Sequence, residues 1–587
     1  MAEEEEIKKL IGVIRKFKPG AKLKHYIGYA QFPSFKSLEP STRIDFDFPL
    51  TALVGPNGVG KSSVLHALWG MPYGQSTSKF WFETELDPIV GTQRYFYSYW
   101  HEPFDGFVES RKARVGTKKA DYWEPARLSI PDGMKPLPAG EFVGKAKDRW
   151  NPVRRDVVYI NLKTSFGSFD RFFYFDDDVK ADARREVMLQ EARRLRSVVE
   201  QDKQSYILGN RERIFVNREL TQDEVAAVSA ILGRTYDSAR YIEHALYPGR
   251  RGKDISVIFR RGASYSEAFA GSGELTAVNA VVQILGAPEY SLILLDEPET
   301  SLHPGAQRAL LKFLLEQIKL KGHQVVISTH SMDFLEGLPH SAIKVFESNG
   351  AGQTRVLPSS SPNSALVRLG KPPINKKRVL VEDPMAALLI ERAIDSLDPG
   401  DVQSLEIKVA PGGADAILRY LGPAAMTSGD DVYVFLDGDQ RKVGDFTDPH
   451  TIAPVAHAQL GALLKGETGV DPMFHIPGGQ GGAAHEAAKV QAQLNYLTWL
   501  RARVAYLPGV VPEETFLKAL NPAGAYDNLT AAKAKAALRE MLAKNVDVTA
   551  SELVTLAKVA VAGIPQGHEN LAAIRQRIGL WLHGAPV

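Results

Sequence analysis

A short glycine-rich segment constrains this chain more than any other feature. Residues 55–62 read Gly-Pro-Asn-Gly-Val-Gly-Lys-Ser and match the pattern G-x-x-x-x-G-K-[S/T]. An apolar run ends at Val54 just before this segment, and a helix-like stretch, Ser62–Trp69, follows it. A strand, a tight glycine turn and a helix N-terminus in this order form a cradle of backbone N–H groups for phosphate. The pattern predicts an α/β sheet with a phosphate-binding loop at the end of one strand.

The same segment predicts roles for individual residues. Glycine lets the backbone N–H groups approach phosphate oxygens without a clash from a Cβ atom. The lysine is expected to reach the outer phosphates, and the serine after it is expected to bind Mg²⁺. The residues expected to bind the nucleotide are Asn57, Gly58, Gly60, Lys61, Ser62 and Ser63.

A second element brings two carboxylates to that loop. Ser291–Leu295 is a short apolar run that predicts a central strand, and Asp296 and Glu297 follow it directly. Asp296 is expected to hold Mg²⁺, directly or through water, and Glu297 to polarise the attacking water. Another apolar run, Gln324–Ser328, predicts a buried strand that leads to His330, which is expected to sense the γ-phosphate. These residues together predict ATP hydrolysis.

The sequence LLDEPETSLHP, followed by a strand and STHS, resembles the ABC-ATPase superfamily in the branch shared by the SMC, RecF and OLD (overcoming lysogenization defect) proteins. That resemblance implies a signature segment that contacts the γ-phosphate across a dimer. Ala270–Glu274 is the nearest match, with Ser272 and Gly273 as the contacting residues, although it departs from the usual Leu-Ser-Gly-Gly form. The family's Q-loop has no assigned position, and His303 in the loop after the Asp-Glu pair is left open between a functional and a structural role.

A second group of acidic residues lies beyond residues 347–377, a segment rich in proline, glycine and serine that predicts a linker. One apolar strand ends in Glu382, and a second, Val432–Leu436, is followed by Asp437 and Asp439. Carboxylates at the ends of neighbouring strands can converge at one sheet edge and bind hard divalent cations through oxygen. Bound cations of this kind activate water and stabilise the leaving oxygen in phosphodiester chemistry.

This order of strands and acids resembles the Toprim domain of topoisomerases, primases and OLD nucleases. A glycine turn, Val409–Asp415, lies between the two strands, as it does in that domain. The family usually continues its first motif as Glu-Gly-x-x-Asp. Here Asp383 follows Glu382, and Ala386 occupies the second acidic position.

The resemblance implies two further residues of the acidic site. Glu513 or Glu514 completes a second metal site in this interpretation, with Glu513 as the ligand chosen. The OLD family also uses a C-terminal lysine near the scissile phosphate, and Lys544 and Lys558 are the candidates. A topoisomerase-like transesterification stays open, although no tyrosine stands in a recognisable context for it.

The fold class expected from these patterns is α/β, with two domains. An ABC-type ATPase domain is expected over residues 1–373, with a largely helical insertion at about 100–250 that offers a dimerisation surface. A Toprim-like nuclease domain is expected over residues 374–587.

Composition narrows the class of protein. The 44% hydrophobic and 24% charged residues are ordinary for a soluble protein, and the net charge of +2 means that any nucleic-acid binding must use local basic patches. The absence of cysteine excludes disulfides, zinc–thiolate sites and cysteine nucleophiles. No window approaches the roughly 18 apolar residues of a membrane span, and the acidic start MAEEEE is not a secretory signal. A cytoplasmic protein without a membrane partner is expected.

These observations predict an ATP-hydrolysing endonuclease that uses Mg²⁺ or Mn²⁺ and acts on DNA, with RNA left open. The resemblance implies a role in anti-phage defence beside a partner protein or nucleic acid, and a homodimer or higher homo-oligomer. The alternative is an SMC- or RecF-like DNA-binding ATPase with a degenerate, non-cleaving Toprim domain. A membrane-transporter ATPase is disfavoured because such subunits carry no Toprim unit.

Overall fold

A computed structural model describes residues 2–115, 122–162, 167–175, 180–246, 253–373, 376–476, 482–524, 526, 529–544 and 546–583. The chain divides into two compact units, Met1–Ala365 and Leu366–Val587. Within the described parts, no helix is both long enough and apolar enough to cross a membrane.

The strands are β1 (Ile27–Ser34), β2 (Thr42–Asp45), β3 (Leu50–Val54), β4 (Arg94–His101), β5 (Gly106–Val115), β6 (Tyr122–Ala126), β7 (Val157–Asn161), β8 (Ile207–Leu208), β9 (Arg211–Glu212), β10 (Ile214–Glu219), β11 (Ser238–His244), β12 (Asp254–Arg261), β13 (Ala263–Ser266), β14 (Leu292–Asp296), β15 (Gln324–Thr329), β16 (Ile343–Ser348), β17 (Thr354–Leu357), β18 (Lys377–Val381), β19 (Leu405–Val409), β20 (Val432–Leu436) and β21 (Val504–Tyr506).

The helices are α1 (Ala2–Ile14), α2 (Lys61–Gly70), α3 (Ser168–Phe175), α4 (Ala181–Glu200), α5 (Gln222–Leu232), α6 (Ser272–Gly286), α7 (Pro304–Lys321), α8 (Pro362–Arg368), α9 (Pro384–Ile394), α10 (Pro399–Gln403), α11 (Gly413–Ala416), α12 (Gly422–Ser428), α13 (Leu460–Thr468), α14 (Ala483–Arg503), α15 (Pro512–Leu520), α16 (Ala531–Ala543), α17 (Ala550–Val561) and α18 (Glu569–His583).

The first unit is built around a six-stranded sheet in the order β17-β16-β3-β15-β14-β7. Its neighbours pair in parallel except β16 and β17, and every residue of β3, β14 and β15 is buried. Buried parallel strands read as continuous apolar runs because helices or sheets cover both faces. Their carboxyl ends lie at one edge, where the phosphate loop and the Asp-Glu pair both stand.

The expected largely helical insertion is wrong for the described part of residues 100–250. Strands β4, β5 and β6 join β1 and β2 in an antiparallel five-stranded sheet, and β10–β13 form a second antiparallel sheet. Between them, β7 returns to the parallel core sheet, so the segment is not one continuous insertion. Strand β4, which ends at His101 just inside this segment, has the aromatic sequence RYFYSYWH, and aromatic side chains favour strands that pack on a hydrophobic core. Strands β5 and β6 extend the antiparallel sheet from it.

Aromatic residues of that antiparallel sheet and apolar residues of α2 share one core. Tyr95 and Tyr97 of β4 and Trp123 of β6 are buried together with Val64 and Leu68 of α2. Two strands in different sheets precede the phosphate loop, because β2 belongs to the antiparallel sheet and β3 to the parallel one. This core fixes the first turn of α2 behind the phosphate loop.

The expected linker at 347–377 carries regular structure. Strand β17 extends the core sheet, helix α8 follows it, and the division between the two units falls at residues 365 and 366.

The second unit has a four-stranded parallel sheet in the order β19-β18-β20-β21. Strand β20 shows how its two faces are filled. Val434 and Leu436 point to a core shared with α13 and α14, whereas Tyr433 and Phe435 point to a core shared with α9 and α15–α18. Alternate residues of a strand face opposite sides, so helices cover both faces, and polar residues that follow β18 and β20 gather at the carboxyl edge.

Candidate functional site

The phosphate loop connects the buried strand β3 to helix α2. Gly58 and Gly60 have φ of 83° and 91°, a left-handed conformation that costs glycine little and other residues more. Ser62 and Ser63 stand in the first turn of α2, where backbone N–H groups have no partner within the helix. The loop therefore presents N–H donors and a helix N-terminus to one point, as an anion site requires.

Lys61 lies inside this loop and is only 5% exposed. Its ammonium group donates hydrogen bonds to the carbonyl oxygens of Gly55 (2.7 Å) and Pro56 (2.9 Å). The Nε2 atom of His330 is 3.0 Å from the same ammonium. The side chain expected to contact the outer phosphates is thus held at the centre of the loop, with His330 beside it.

Asp296 ends β14 next to the loop and is buried. Its carboxylate accepts hydrogen bonds from the hydroxyls of Ser62 (3.0 Å), Tyr159 (3.0 Å) and Ser328. The two expected Mg²⁺ ligands, Ser62 and Asp296, are therefore direct neighbours. Both supply oxygen, the donor atom that Mg²⁺ prefers, so the pair fits that cation.

Glu297 follows with a left-handed φ of 48°, which is uncommon for a residue other than glycine. Its backbone N–H donates to the carbonyl oxygen of Ser328 (3.0 Å), so the adjacent strand β15 holds this conformation. The Oε1 atom of Glu297 lies 3.6 Å from Nε2 of His330. The carboxylate expected to polarise water and the histidine expected to sense phosphate therefore face each other beside Lys61.

Glu299 is a residue whose role the sequence did not suggest. Its carboxylate accepts hydrogen bonds from the Thr329 hydroxyl (2.9 Å) and from the backbone N–H of His330 (2.6 Å). Burial raises the pKa of Glu299 above its ordinary value, and the negative charge of Glu297 adds to that rise. Glu299 therefore positions the turn that carries His330.

Tyr159 and His66 are two more residues that the motifs did not indicate. Tyr159 belongs to β7, which is distant in sequence from β14 and pairs with it in space. The Tyr159 hydroxyl lies 3.1 Å from Nε2 of His66, whose ring stacks on Phe80 with centroids 4.3 Å apart. Burial lowers the pKa of His66 to about 4, so this histidine is neutral at physiological pH. The only sequence signal for Tyr159 was its place in a short apolar strand.

The signature segment begins helix α6. A Cβ atom on Gly273 would lie 2.6 Å from the carbonyl oxygen of Ser301, so only glycine fits against the loop that follows the Asp-Glu pair. Ser301 itself has a φ of 66°. In this chain Ser272 and Gly273 therefore start a helix packed on the post-Asp-Glu loop, and their contact with a γ-phosphate across a dimer stays a prediction.

His303 occupies the N-cap position of α7, where its Nδ1 atom accepts a hydrogen bond from the backbone N–H of Ala306 (3.2 Å). This contact gives the residue a structural role.

The second candidate site lies at the carboxyl edge of the sheet in the second unit. Strands β18 and β20 are parallel neighbours, so Glu382 and Asp437, which directly follow them, come together. The backbone N–H of Asp437 donates to Oε1 of Glu382 over 2.6 Å.

The loop before α15, which leads to Glu513, reaches this edge through a close approach of two backbones. A Cβ atom on Gly438 would lie 1.8 Å from the carbonyl oxygen of Gly509, so glycine is required there. The backbone N–H of Asp439 also donates to the carbonyl oxygen of Val510 (2.9 Å). The loop before α15 is thereby fastened beside Asp437 and Asp439, and the first turn of α15 carries Glu513.

Asp437 and Glu513 are only 4% and 5% exposed. Among the described residues, neither Oδ1 of Asp437 nor Oε2 of Glu513 has a hydrogen-bond partner. Burial raises the pKa of Asp437 to about 8, and the charges of Glu382, Asp383, Glu513 and Asp439 add to that rise. The pKa values of Glu382 and Glu513 are raised as well, with burial as the larger cause and neighbouring carboxylates as the smaller one.

Other carboxylates of the region have structural partners. Oδ1 of Asp383 caps helix α9 through the backbone N–H of Ala386 (2.9 Å). Glu514 accepts from the backbone N–H of Val510 (2.8 Å) and pairs with Lys518 (2.9 Å). The geometry therefore distinguishes Glu513 from Glu514. Ala386 is fully buried in the apolar core around α9.

The carboxylate oxygens at this edge suit a divalent cation by their chemistry, although they do not stand close enough together to form a complete metal cage. In the parts of the chain that the structure describes, no three His, Cys, Asp or Glu side chains already form a metal cage. Buried carboxylate oxygens without partners, on groups that repel one another, are nevertheless the donors that a hard cation stabilises. Glu382 and Asp437 are the closest pair, and Asp439 and Glu513 stand next to them.

One lysine lies at this acidic cluster. The Nζ atom of Lys535, on α16, is 3.9 Å from Oδ2 of Asp383, and its charge opposes the rise in the pKa values of Glu382 and Glu513. The candidates Lys544 and Lys558 lie elsewhere on the helices, Lys544 as the C-terminal cap of α16 and Lys558 in the last turn of α17. Sequence spacing missed Lys535 because no motif surrounds it.

A family model described as "AAA domain, putative AbiEii toxin, Type IV TA system" matches residues 50–336. No curated protein matches the chain. Among solved structures, the SMC head domain from Thermotoga maritima is similar with 14% identity and a TM-score of 0.30, covering 57% of this chain and 99% of that one.

Two further solved structures are similar at 16% identity. One is an SMC head bound to the C-terminal winged-helix domain of ScpA, with a TM-score of 0.31, covering 58% of this chain and 99% of that one. The other is the head with an extended coiled coil bound to the C-terminal domain of ScpA from Pyrococcus furiosus, with a TM-score of 0.32, covering 59% and 99%. The match to an AAA domain model over residues 50–336, together with the loop geometry around Lys61 and Asp296, indicates an ATPase domain in the first unit.

Proposed function

We propose that this protein is an ATP-hydrolysing, divalent-metal-dependent endonuclease that acts on DNA. The observation that carries the proposal is the edge where Asp437 and Glu513 stand buried beside the half-buried Glu382, with two carboxylate oxygens that have no hydrogen-bond partner among the described residues. A folded chain maintains such repulsion when a ligand compensates it, and the ligand of matching chemistry is a hard divalent cation.

In the first unit, Ser62 and Asp296 would hold Mg²⁺ beside the nucleotide phosphates. The cation neutralises charge that develops on those phosphates. Lys61 would add a second positive charge, and Glu297 would orient and polarise the attacking water. The 3.6 Å separation of Glu297 from His330 supports a coupling in which the histidine responds to the γ-phosphate and adjusts that carboxylate.

In the second unit, Glu382, Asp437, Asp439 and Glu513 would hold Mg²⁺ or Mn²⁺. These cations supply water activation and stabilisation of the leaving oxygen. The protein's own contribution is a rigid edge, since the Gly438–Gly509 approach fixes the acidic loop. Lys535, next to Asp383, is a suitable cation to contact the scissile phosphate in place of Lys544 or Lys558.

We also propose a homodimer in which Ser272 and Gly273 of one subunit complete the nucleotide site of the other. The description of the matching family model names a toxin of a type IV toxin–antitoxin system. Together with the resemblance to OLD proteins, it supports a role in anti-phage defence with a partner protein or nucleic acid.

A second candidate function is a DNA-binding ATPase whose Toprim-like unit does not cleave. Two observations favour it: Ala386 lies buried in the apolar core where the family usually has an acid, and no three of the described carboxylates form a ready metal cage.

Nicking of a supercoiled plasmid in Mg²⁺ or Mn²⁺ separates the two functions. We expect cleavage by the wild-type chain and a loss of several orders of magnitude in Asp437→Asn, which keeps the shape of the side chain and removes the metal-binding charge. Asp430→Asn is the matched control, because Asp430 lies at the opposite, amino end of β20 and pairs with Arg378. Wild-type nicking by Asp437→Asn would refute the assigned site, and an inactive wild type would favour the non-cleaving ATPase.

A further inference from the structure

A separate cavity of about 590 Å³ lies in the second unit, beside the acidic edge. It is bounded by the turn after β20, by β21 and by α18, and its lining includes three arginines, a tyrosine, a phenylalanine and an aspartate: Arg441, Arg501, Arg577, Tyr506, Phe446 and Asp445. Its volume is within the range of about 300–1,000 Å³ that is usual for small-molecule sites.

The charges of this cavity leave one positive charge in excess. Arg501 pairs with Asp448 over 3.0 Å, and Asp445 brings a further negative charge to the lining. Three arginines against these two aspartates leave a net charge of +1. A single anionic group such as one phosphodiester balances that charge, whereas a nucleoside triphosphate would overcompensate it.

Arg577 is the best-placed cation to receive this group. Its Nη2 atom donates to the carbonyl oxygen of Val504 (3.3 Å), and its guanidinium lies 5.4 Å from the ring centre of Trp581. Its Nε atom is buried and has no hydrogen-bond partner among the described residues. An unsatisfied buried N–H is costly, so the site gains when an acceptor arrives.

Aromatic rings line the same cavity. The guanidinium of Arg441 lies 4.8 Å from the ring centre of Tyr506, and the rings of Tyr506 and Phe446 are stacked with centroids 6.4 Å apart. A planar base is a suitable partner for such a surface, because every nucleobase presents a π-face. A nucleoside phosphate therefore fits this cavity, because the guanidinium groups can bind its phosphate and the aromatic rings can stack on its base.

The position of the cavity connects it to the acidic edge. Arg441 directly follows the short turn Gly438–Gln440 that contains Asp439. Tyr506 ends β21, three residues before Gly509, whose carbonyl oxygen meets Gly438. The cavity and the carboxylates thus share the two segments that leave β20 and β21.

We propose that this cavity is a nucleotide subsite, which binds the phosphate through Arg441 and Arg577 and the base against Tyr506. The net charge favours one nucleotide of a nucleic-acid strand. This inference deepens the proposed function, because the bound nucleotide would adjoin the phosphodiester presented to Asp437.

The test measures fluorescence anisotropy of the full chain with a short fluorescein-labelled single-stranded oligodeoxynucleotide in EDTA, where metal-dependent cleavage does not interfere. We expect Arg441→Gln and Arg577→Gln each to weaken binding by about tenfold, and Tyr506→Leu to weaken it by a similar factor. Tyr506→Phe, which keeps the ring, should bind like the wild type. Arg441 is exposed, so its variant is the one least prone to misfold.

Arg378→Gln is the matched control, since it removes the same charge at the amino edge of the sheet. Wild-type affinity in Arg441→Gln and Tyr506→Leu would overturn the subsite, and so would an equal loss in Arg378→Gln, which would indicate non-specific attraction only.

Thymidine monophosphate, added as competitor in the Lys61→Ala background, identifies the source of the ligand. If thymidine monophosphate displaces the oligonucleotide from this protein, and no longer does so when Arg441→Gln is added, the cavity binds a free nucleotide. If it does not displace the oligonucleotide, the cavity binds a nucleotide that is part of a strand. The nuclease proposal is tested independently, because failure of plasmid nicking leaves the affinities in EDTA unchanged.

Discussion

Single side chains at both candidate sites stand in positions that cost stability. Lys61 is buried inside the phosphate loop, Glu297 has a left-handed backbone, and Asp437 is a buried acid with an unpartnered oxygen. Such arrangements persist where a ligand or a reaction uses them. Substitutions of these single residues should therefore separate ATP hydrolysis from DNA cleavage.

Lys61→Ala should abolish high-affinity ATP binding. The ammonium group is the only side-chain cation within residues 55–62, and charge-assisted hydrogen bonds to phosphate contribute about 1.5–3 kcal/mol each. Isothermal calorimetry should show affinity reduced by about a hundredfold or more, whereas the exposed Lys319→Ala should bind ATP normally. Unchanged affinity in the first variant would remove the assignment of this loop.

Asp437→Asn should make the metal-free protein more stable while it ends cleavage. The folded chain holds the pKa of this acid at about 8, against 3.8 for its ordinary value, so the unfolded state ionises it more easily and the acid costs folding energy at neutral pH. One pKa unit corresponds to about 1.4 kcal/mol, and because several carboxylates share the repulsion we expect a gain of about 1–2 kcal/mol.

Thermal unfolding against pH checks the sign of this effect. The folded wild type binds more protons than the unfolded chain between about pH 4 and 8, so its stability falls as pH rises through that window. The advantage of Asp437→Asn should therefore be largest near pH 8 and shrink towards pH 4. A variant that melts below the wild type at pH 8 would contradict the inferred repulsion.

At the scale of elements, both sites depend on how strands end and on which loops touch. Strand β3 and strand β14 lie on either side of β15, so the phosphate loop and Asp296 meet at one edge. In the second unit, β18 and β20 are direct neighbours, and the loop after β21 packs on the loop after β20 at Gly438. Close backbone contacts of this kind help to position the acids.

Gly438→Ala tests that contact. The added Cβ atom would lie 1.8 Å from the carbonyl oxygen of Gly509, so the two loops must separate. Overpacking of this kind costs about 1–3 kcal/mol, and metal-dependent cleavage should fall at least tenfold because Glu513 moves away from Asp437. Gly466→Ala, where no atom lies within 4 Å of the added carbon, is the control for stability and cleavage. Full activity in Gly438→Ala would mean that Glu513 has no part in the site.

At the scale of the whole molecule, the chain combines an ATPase unit with a second α/β unit that has its own sheet and cores. Helix α6 presents the signature residues at its N-terminus, packed on the loop that follows Glu297. In the superfamily that this chain resembles, a second subunit completes each ABC-type site. The oligomeric state is therefore the property that tests the proposed dimer.

The Glu297→Gln variant should bind ATP, fail to hydrolyse it, and remain a dimer while ATP is bound. The amide keeps the size of the side chain and loses the ability to polarise water. Light scattering with ATP and Mg²⁺ should give twice the mass of one chain. The double variant with Lys61→Ala, which is expected not to bind ATP, is the control for nucleotide dependence. A single-chain mass for the wild type and for Glu297→Gln, with and without ATP, would contradict the proposed dimer.

Much of the first unit could be predicted from local patterns in the sequence. A glycine turn between an apolar strand and a helix, and an apolar strand ending in Asp296 and Glu297, carry their geometry within about ten residues each. The same holds for β20 and the Asp437 that follows it, because alternation and strand ends are local properties.

The tertiary structure decided the features that depend on distant pairing. Strands β5 and β6 form by antiparallel pairing that begins on β4, and the pattern of residues 100–250 by itself did not indicate this pairing. Tyr159 reached Asp296 because β7 pairs with β14, although 137 positions separate the two residues. The choice between Glu513 and Glu514, and the presence of Lys535 beside Asp383, followed from which neighbours each side chain met in space. Local sequence determines the elements and their ends, whereas burial and long-range contacts determine which of several equivalent carboxylates keeps an unpartnered oxygen.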